Sequence, residues 1–353
     1  MKTAVSWGVV VLLLLAAPPN RASAGPSGYE RVATFPLGGP GGWDYLTLDS
    51  ANRRLFIARE NRVTVLDLDR GTVVGEIPDT LGVHGIALAP ELGRGFTSNG
   101  RSANVTMFDF KTLKVIGSVP TDEGPDAIVY DPKTRLVLTM NGRAHSATTI
   151  DAASGKVQAT LALEGKPEFA VADGRGRIFA NLEDQSAELE IDPAVPRIVH
   201  RWPLAPCVEP SGLAIDRVHR RLFAGCHNGM MAVVDADSGK VIATPPIGAG
   251  VDANAFDPAT KLAFSANGEG TLTVVHEEAP GDFRVLESVE TKRGARTMAL
   301  DETTHLVYLV TAEFGPTPPP SNENPHPRPP VLPDSFVVLV YGTGTRGTAP
   351  PSP

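Results

Sequence analysis

Residues 213–244 read LAIDRVHRRLFAGCHNGMMAVVDADSGKVIAT. Two apolar stretches flank the polar turn after Asp216, a third ends at Asp235, and a fourth follows the Asp-Ser-Gly turn. Short stretches rich in β-branched residues and separated by Gly, Asp and Asn are typical of antiparallel strands joined by tight turns. The segment therefore predicts four consecutive short strands.

The same pattern repeats along the chain. Its first landmark, the residue that ends an apolar stretch before a polar turn, occurs at Asp49, Ala89, Asp131, Asp173, Asp216, Asp257 and Asp301. The steps run from 40 to 44 residues. A second landmark lies between them at Asp67, Asp109, Asp151, Asp192, Asp235 and His276. Four strands at this period are the signature of a propeller blade, so we predict an all-β, seven-bladed β-propeller with four antiparallel strands per blade.

The seventh repeat supplies three strands, at 298–300, 305–311 and 336–341. Segment 29–37 resembles the fourth strands of other repeats, since ERVATFPL aligns with KVIGSVPT and RIVHRWPL. An N-terminal strand that joins the last blade removes the open sheet edge and closes the ring. We therefore predict one propeller domain over 25–342, closed by strand 29–37, and a disordered C-terminal tail over 343–353.

The N-terminus predicts export. Lys2 precedes the apolar run 9–17, and Ala22-Ser23-Ala24 forms a small-residue cleavage site. Residues 1–24 are therefore interpreted as a signal peptide, with an uncleaved anchor as the alternative. We expect a secreted or periplasmic protein with no membrane span after cleavage.

Composition excludes several classes of protein. The formal net charge is −8, and it becomes −10 once Lys2 and Arg21 leave with the signal peptide. An acidic chain is unlike one built to hold nucleic acid, so nucleic acid is not an expected partner. Two cysteines exclude a Cys-rich zinc module. The motifs GxSxG, HExxH, CxxCH and the P-loop are absent from the sequence.

Several phrases resemble the YVTN repeat of the YncE-like propeller proteins, namely VTVLDLDRGTVVGEI, SNGRSANVTMFD, GPDAIVYDP and VVDADSGKVIAT. The resemblance covers nearly the whole mature chain and is specific for fold rather than activity. It implies an exported, single-domain propeller, which we expect to be a monomer. The wider superfamily includes lactonase-like enzymes, a streptogramin lyase, subunits of periplasmic dehydrogenases and proteins linked to DNA binding. The acidic charge argues against carrying over DNA binding.

One register of the repeat collects polar side chains. The residue five positions before each first landmark is Asp44, His84, Asp126, Glu168, Ser211, Asp252 or Arg296. The first strand of each propeller blade lines the central channel, so this column lies at one mouth, which we call the top. The columns below it are almost wholly apolar. The column predicts a ligand site, with Trp43 either stacking on the ligand or packing the rim. The alternative is that these residues cap loops or pair with one another.

The column also suggests chemistry. Asp44, Asp126, Glu168 and Asp252 are candidate ligands of a divalent cation, because hard cations prefer carboxylate oxygens. His84 is a candidate ligand or general acid/base, and Arg296 could hold a substrate carboxylate or phosphate.

Three functions follow from these residues and the resemblance. The first is binding of a small ligand, a cation or a protein partner at the top mouth, with no assigned reaction. The second is a divalent-cation-dependent hydrolase, lactonase or lyase with His84 as its catalytic residue. The third, a subunit of a periplasmic redox complex, rests on the family alone.

Two further features concern the top face. Cys207 and Cys226 lie one strand apart there, so an oxidising compartment favours a disulfide between them over two buried thiols. The Pro-rich insertion 313–335 should be extended and stiff, and by topology it emerges at the top, either as a lid or docking arm or as a passive excursion. The Asn-Gly pairs of the other top loops, among them 99–100 and 141–142, are interpreted as turns that need a positive φ.

Overall fold

The repeats form seven four-stranded antiparallel sheets, which confirms the predicted seven-bladed β-propeller. This computed structural model describes residues 27–321, 325 and 327–344. The predicted signal peptide and residues 345–353 of the predicted tail lie outside the described residues. No helix within the described part of the chain has the length and apolarity needed to cross a membrane.

The strands of each blade are given from the channel outward. Blade 1 contains β2 (Leu46–Asp49), β3 (Arg54–Arg59), β4 (Arg62–Asp67) and β5 (Thr72–Ile77), and blade 2 contains β6 (Val83–Ala89), β7 (Arg94–Asn99), β8 (Asn104–Asp109) and β9 (Val115–Pro120). Blade 3 contains β10 (Pro125–Asp131), β11 (Leu136–Asn141), β12 (Ser146–Asp151) and β13 (Val157–Ala162). Blade 4 contains β14 (Pro167–Ala172), β15 (Ile178–Leu182), β16 (Ala187–Asp192) and β17 (Arg197–Pro203), and blade 5 contains β18 (Pro210–Asp216), β19 (Arg221–Cys226), β20 (Met230–Asp235) and β21 (Val241–Ala243). Blade 6 contains β22 (Val251–Asp257), β23 (Leu262–Asn267), β24 (Thr271–Ala279) and β25 (Asp282–Glu290). Two 3₁₀ turns, Pro90–Leu92 and Glu183–Gln185, are the helical segments among the described residues.

Blade 7 closes the ring as predicted. Its strands are β26 (Met298–Asp301), β27 (Leu306–Thr311), β28 (Val337–Thr343) and the N-terminal β1 (Tyr29–Pro36). Strand β1 pairs antiparallel with β28, in a register that runs from Tyr29 opposite Thr343 to Pro36 opposite Val337. The first and last parts of the described chain therefore complete one sheet, which gives blade 7 four strands like the other six blades.

The landmark aspartates explain why the repeat has its sequence. At the second landmark, Oδ1 of Asp109 accepts a hydrogen bond from the Thr112 amide at 2.7 Å, and Oδ1 of Asp151 accepts one from the Ser154 amide at 2.7 Å. An Asp side chain that accepts a bond from an amide three residues later fixes a tight turn. The bonds donated by Ser154 hold the pKa of Asp151 below its usual value.

Turns between first and second strands also join neighbouring blades. Arg53 has φ 54° and donates to the first-landmark Asp301 of blade 7 at 2.8 Å. The Asp301 side chain is 1% exposed, so this pair lies within the closure between the first and last blades. Arg220 bonds to Asp173 of the preceding blade in the same way, also at 2.8 Å. The cores between blades are apolar, with Phe56, Phe96, Phe179, Phe223 and Phe264 fully buried.

Candidate functional site

A cavity of about 740 Å³ opens at the top mouth of the channel. It is formed by loops that enter first strands, by loops that join second and third strands, and by one residue of insertion 313–335. Its charged or aromatic lining residues are Trp43, Asp44, Glu60, His84, Arg101, Asp126, Arg143, Lys166, Arg296 and Arg328. The predicted column residues Asp44, His84, Asp126 and Arg296 therefore do share one cavity.

Three column residues form a connected group on adjacent blades. His84 Nδ1 lies 2.6 Å from Asp44 Oδ2 and 3.5 Å from Asp126 Oδ1. Burial alone would lower the pKa of His84, but the hydrogen bond to Asp44 and the charge of Asp126 raise it to about 9. Burial raises the pKa of both carboxyl groups, and His84 opposes that rise. One potential ligand atom from each residue lies within 4.8 Å of the other two, a spacing that a metal ion can bridge.

Asp252 lies in a separate group with Arg296 and Ser211. Its carboxylate lies 2.8 Å from Arg296 Nε and accepts a hydrogen bond from Ser211 Oγ at 3.1 Å. Burial raises the pKa of Asp252, and both Arg296 and Ser211 counter that rise. The alternative of pairing between Arg296 and Asp252 is therefore realised, and this acid is already compensated within the protein.

Glu168 is paired with a residue that the column did not contain. Lys166 Nζ lies 3.5 Å from Glu168 Oε2 and also pairs with Glu183. Glu168 Oε2 is buried and has no hydrogen-bond partner among the described residues, so its ion pair is a long one. Burial and the nearby charge of Asp126 raise the pKa of Glu168 to about 8. The four predicted carboxylate ligands therefore divide into three groups, and two of them, Asp44 and Asp126, face a common centre.

An aromatic pair separates the top cavity from the channel below. Tyr45 donates a hydrogen bond to the backbone oxygen of Asp252 at 3.2 Å, and its ring lies 4.7 Å from that of Phe169. These contacts join blades 1, 4 and 6, so the two rings cross the channel. At the same register the other blades carry Gly85, Ala127, Gly212, Ala253 and Thr297, which leave room for the rings. A second, largely apolar cavity of about 530 Å³ lies beyond them and shares no lining residue with the first.

A buried arginine holds the loop that leads to Asp44. Arg59 is 1% exposed, and its guanidinium lies 3.7 Å from the ring centre of Phe336. It donates to backbone oxygens of loop 38–42, including those of Pro40 at 3.0 Å and Gly42 at 3.1 Å. Burial lowers the pKa of Arg59 to about 10. Other blades carry Asn, Leu, Cys or Thr at this strand position, so a single Arg in that column was the signal that sequence reasoning missed.

Trp43 packs the rim and also lines the cavity. Its ring lies 5.5 Å from Phe336 and 6.0 Å from Phe314, at the base of the insertion. The insertion begins and ends as a paired segment, with the Gly315 amide donating to Pro330 and the Leu332 amide to Glu313, both at 2.8 Å. The insertion therefore lies at the top face, as its topology predicted.

The Asn-Gly pairs at 99–100 and 141–142 lie in the turns between second and third strands, as expected. Gly100 and Gly142 do not have positive φ, so that part of the prediction was wrong. Asn99 is instead buried and donates to Thr106 Oγ1 at 2.8 Å, which fastens two strands together. A Cβ on Gly100 would lie 2.8 Å from His84 Nε2, so the glycine makes room for the imidazole.

The predicted disulfide between Cys207 and Cys226 is present, and both residues are buried. A second cluster with metal-ligand spacing, Asp216, His219 and Glu277, lies away from the top face. There Asp216 accepts bonds from the amides of Val218 and His219, so it acts as a turn cap.

Comparison with solved structures supports the fold. No protein-family model and no curated protein sequence matches the chain. Among solved structures, U3-55K gives a TM-score of 0.72 at 10% identity, with 89% of this chain and 99% of that chain covered. The RRP9 WD40 repeats give 0.71 at 9% identity, with 90% and 99% covered. Hydrazine synthase of Kuenenia stuttgartiensis gives 0.69 at 15% identity, with 77% and 94% covered. The chain is a β-propeller, a fold that typically mediates ligand or protein binding.

Proposed function

We propose that this protein is an exported, YncE-like propeller that binds a small molecule in the cavity at the top mouth of its channel. The observation that carries the proposal is the cavity of about 740 Å³, whose wall brings together ionisable side chains from five blades. A volume of this size suits a drug-sized or smaller ligand, and propeller loops on a rigid frame are suited to hold one.

Two structural features support a binding role. The Tyr45–Phe169 pair lies across the channel below the column residues, so a ligand enters a pocket rather than an open channel. Arg59 fixes the loop that carries Asp44 by bonds to several carbonyl oxygens, which limits the entropy lost when a ligand binds. The YVTN-type repeats support the family part of the proposal, and the N-terminal apolar run supports export.

A thermal-shift screen of metabolite-sized compounds tests this function. Compounds that stabilise the wild type should have a changed effect on Asp44→Asn combined with Asp126→Asn, two substitutions in the cavity lining that keep side-chain size. Asp69→Asn is the matched control, because Asp69 is 68% exposed and lies outside the cavity lining. Ligands that bind the double variant as well as the wild type would place binding elsewhere.

Binding of a divalent cation is the second candidate function, favoured by the ligand spacing of Asp44, His84 and Asp126. Two carboxylates and one imidazole suit Zn²⁺ or Mn²⁺. In a cation-dependent hydrolase, lactonase or lyase the ion would polarise the substrate, and His84 would serve as a ligand. Isothermal titration with Zn²⁺ and Mn²⁺ should give saturable binding that Asp44→Asn abolishes. Absence of saturable binding at millimolar metal contradicts this function.

The third candidate, a subunit of a periplasmic redox complex, stays a prediction from the family resemblance. The structural similarity to a hydrazine synthase concerns the fold alone at 15% identity.

A further inference from the structure

The charges around the top cavity are unevenly compensated. Each acidic group has a basic neighbour: Asp44 and Asp126 share His84, Asp252 has Arg296, Glu168 has Lys166, and Glu60 lies 3.5 Å from Arg101. Some basic residues of the cavity lining have no such acidic neighbour among the described residues. The net charge at the cavity mouth is therefore decided by the basic residues that remain.

Two arginines of the cavity lining remain without an acid. Arg143 and Arg328 are exposed, and neither has a salt bridge or hydrogen bond within residues 27–321, 325 and 327–344. They come from different parts of the fold, Arg143 from the β11–β12 loop and Arg328 from the insertion of blade 7. Two uncompensated cations on one cavity produce a local positive potential in a chain whose net charge is −8.

Backbone geometry favours the position of Arg143. A Cβ on Gly124 would lie 2.8 Å from Arg143 Cγ, so the stem of the arginine packs directly against that glycine. Gly124 also has φ +66°, a conformation that other residues rarely adopt. The preceding Asn141 is buried and donates to Ser146 Oγ and Thr148 Oγ1 at 3.1 and 2.9 Å, which holds the loop. The charge of Arg143 is thus presented by a fixed loop.

We infer that the ligand of the top cavity is an anionic small molecule whose carboxylate or phosphate group is held by Arg143 and Arg328. The inference rests on the proposed ligand site and specifies its chemical class. The planar guanidinium donates paired hydrogen bonds that match the geometry of both anions. Asp44 and Asp126 line the same cavity and can accept hydrogen bonds from ligand hydroxyl or amino groups.

The test uses one scaffold with different charges. Glucose 6-phosphate and glucuronate supply the two kinds of anion, glucose is neutral and glucosamine is cationic. Dissociation constants are measured at low and high salt for the wild type, Arg143→Gln and Arg328→Gln. Arg70→Gln is the control, because the Arg70 side chain is 77% exposed and lies in the β4–β5 turn, outside the cavity lining. Melting temperatures without ligand establish that each variant is folded.

We expect at least one anion to bind tenfold or more tightly than glucose, with affinity that falls as salt rises. Each cavity variant should weaken that binding about tenfold, the loss expected for one charge-assisted hydrogen bond, and Arg70→Gln should not.

Several results would overturn the inference. Glucose or glucosamine could bind as well as the anions, anion binding could be unaffected by both cavity variants, or the compounds found by the thermal-shift screen could be neutral or cationic. In each case a ligand still bound at the mouth leaves the proposed function intact. Binding of a dT oligonucleotide in place of every small anion would also overturn it. A screen that yields no ligand at the mouth overturns both.

Discussion

Glu188 allows a quantitative test of the burial between blades 4 and 5. It lies in β16 opposite Asn181, whose side chain donates to the Ser211 carbonyl of blade 5 at 2.8 Å. Glu188 is 0% exposed, and neither carboxyl oxygen has a hydrogen-bond partner among the described residues. Burial raises its pKa from 4.5 to about 8, with no charged neighbour contributing. The folded protein therefore keeps this group neutral at pH 7.

The sign of the pH dependence follows from the raised pKa. Between pH 4.5 and pH 8 the unfolded chain ionises Glu188 while the folded chain keeps it protonated, so the free energy of unfolding falls as pH rises. With about 1.36 kcal/mol per pKa unit, the loss between pH 5 and pH 7.5 is about 3 kcal/mol. Glu188→Gln has a similar shape and no ionisation. Its stability relative to the wild type should therefore rise by about 3 kcal/mol over the same pH range.

Urea unfolding at pH 5, 6 and 7.5 measures this difference. The pKa of Glu168 is also raised, so Glu168 adds its own pH dependence to the stability of both proteins. We therefore compare the free energy of unfolding of the variant with that of the wild type at each pH, rather than the slope for the wild type alone. Glu164→Gln, at a side chain that is 83% exposed, is the control and should follow the wild type. If the curves of Glu188→Gln and the wild type stay parallel, Glu188 is not neutral in the folded protein, and the burial argument is refuted.

Three further predictions concern the top face. Replacing Cys207 and Cys226 by serine should cost about 3 kcal/mol of unfolding free energy, since the disulfide closes a loop with a sequence separation of 19; urea unfolding measures the loss, and a reduced wild type should match the variant. Tyr45→Phe removes one buried hydrogen bond and should cost about 1 kcal/mol while leaving ligand affinity unchanged by calorimetry. Gly100→Ala places a methyl group against His84 Nε2 and should weaken ligand binding with little change in melting temperature, whereas unchanged affinity would show that the imidazole need not stay in place.

The fold could be predicted because each of its elements is local. A strand of about six residues and an Asp-capped turn, as at Asp109 and Asp151, leave a pattern that a single sequence displays. Ring closure was predictable for a related reason. The sequence of β1 resembles the other fourth strands, and β1 supplies the fourth strand that the seventh repeat lacks.

The column of polar residues was predictable from register, and their pairing was not. Register gives the height of a side chain in the channel. It therefore predicted that Asp44, His84 and Asp126 lie at the same level, where the structure places them in contact. It does not give the direction of neighbouring loops, and these supply Lys166 and Arg328. A count of column charges therefore favoured a cation site, although loop residues change the balance at the mouth.

The asymmetry of the ring bears on where ligand recognition takes place. All seven blades place a residue of the column at the top, yet the described cavity lining comes from blades 1 to 4 and 7. Blades 5 and 6 instead contribute Ser211 and Asp252, which bond to each other, and Asp252 binds Arg296. The cavity is thus off the axis, towards the side where Arg143 and Arg328 lie. Substitution of Asp252 should act indirectly, by releasing Arg296 into the cavity as a third uncompensated cation, so Asp252→Asn should strengthen the binding of an anion where Arg143→Gln weakens it.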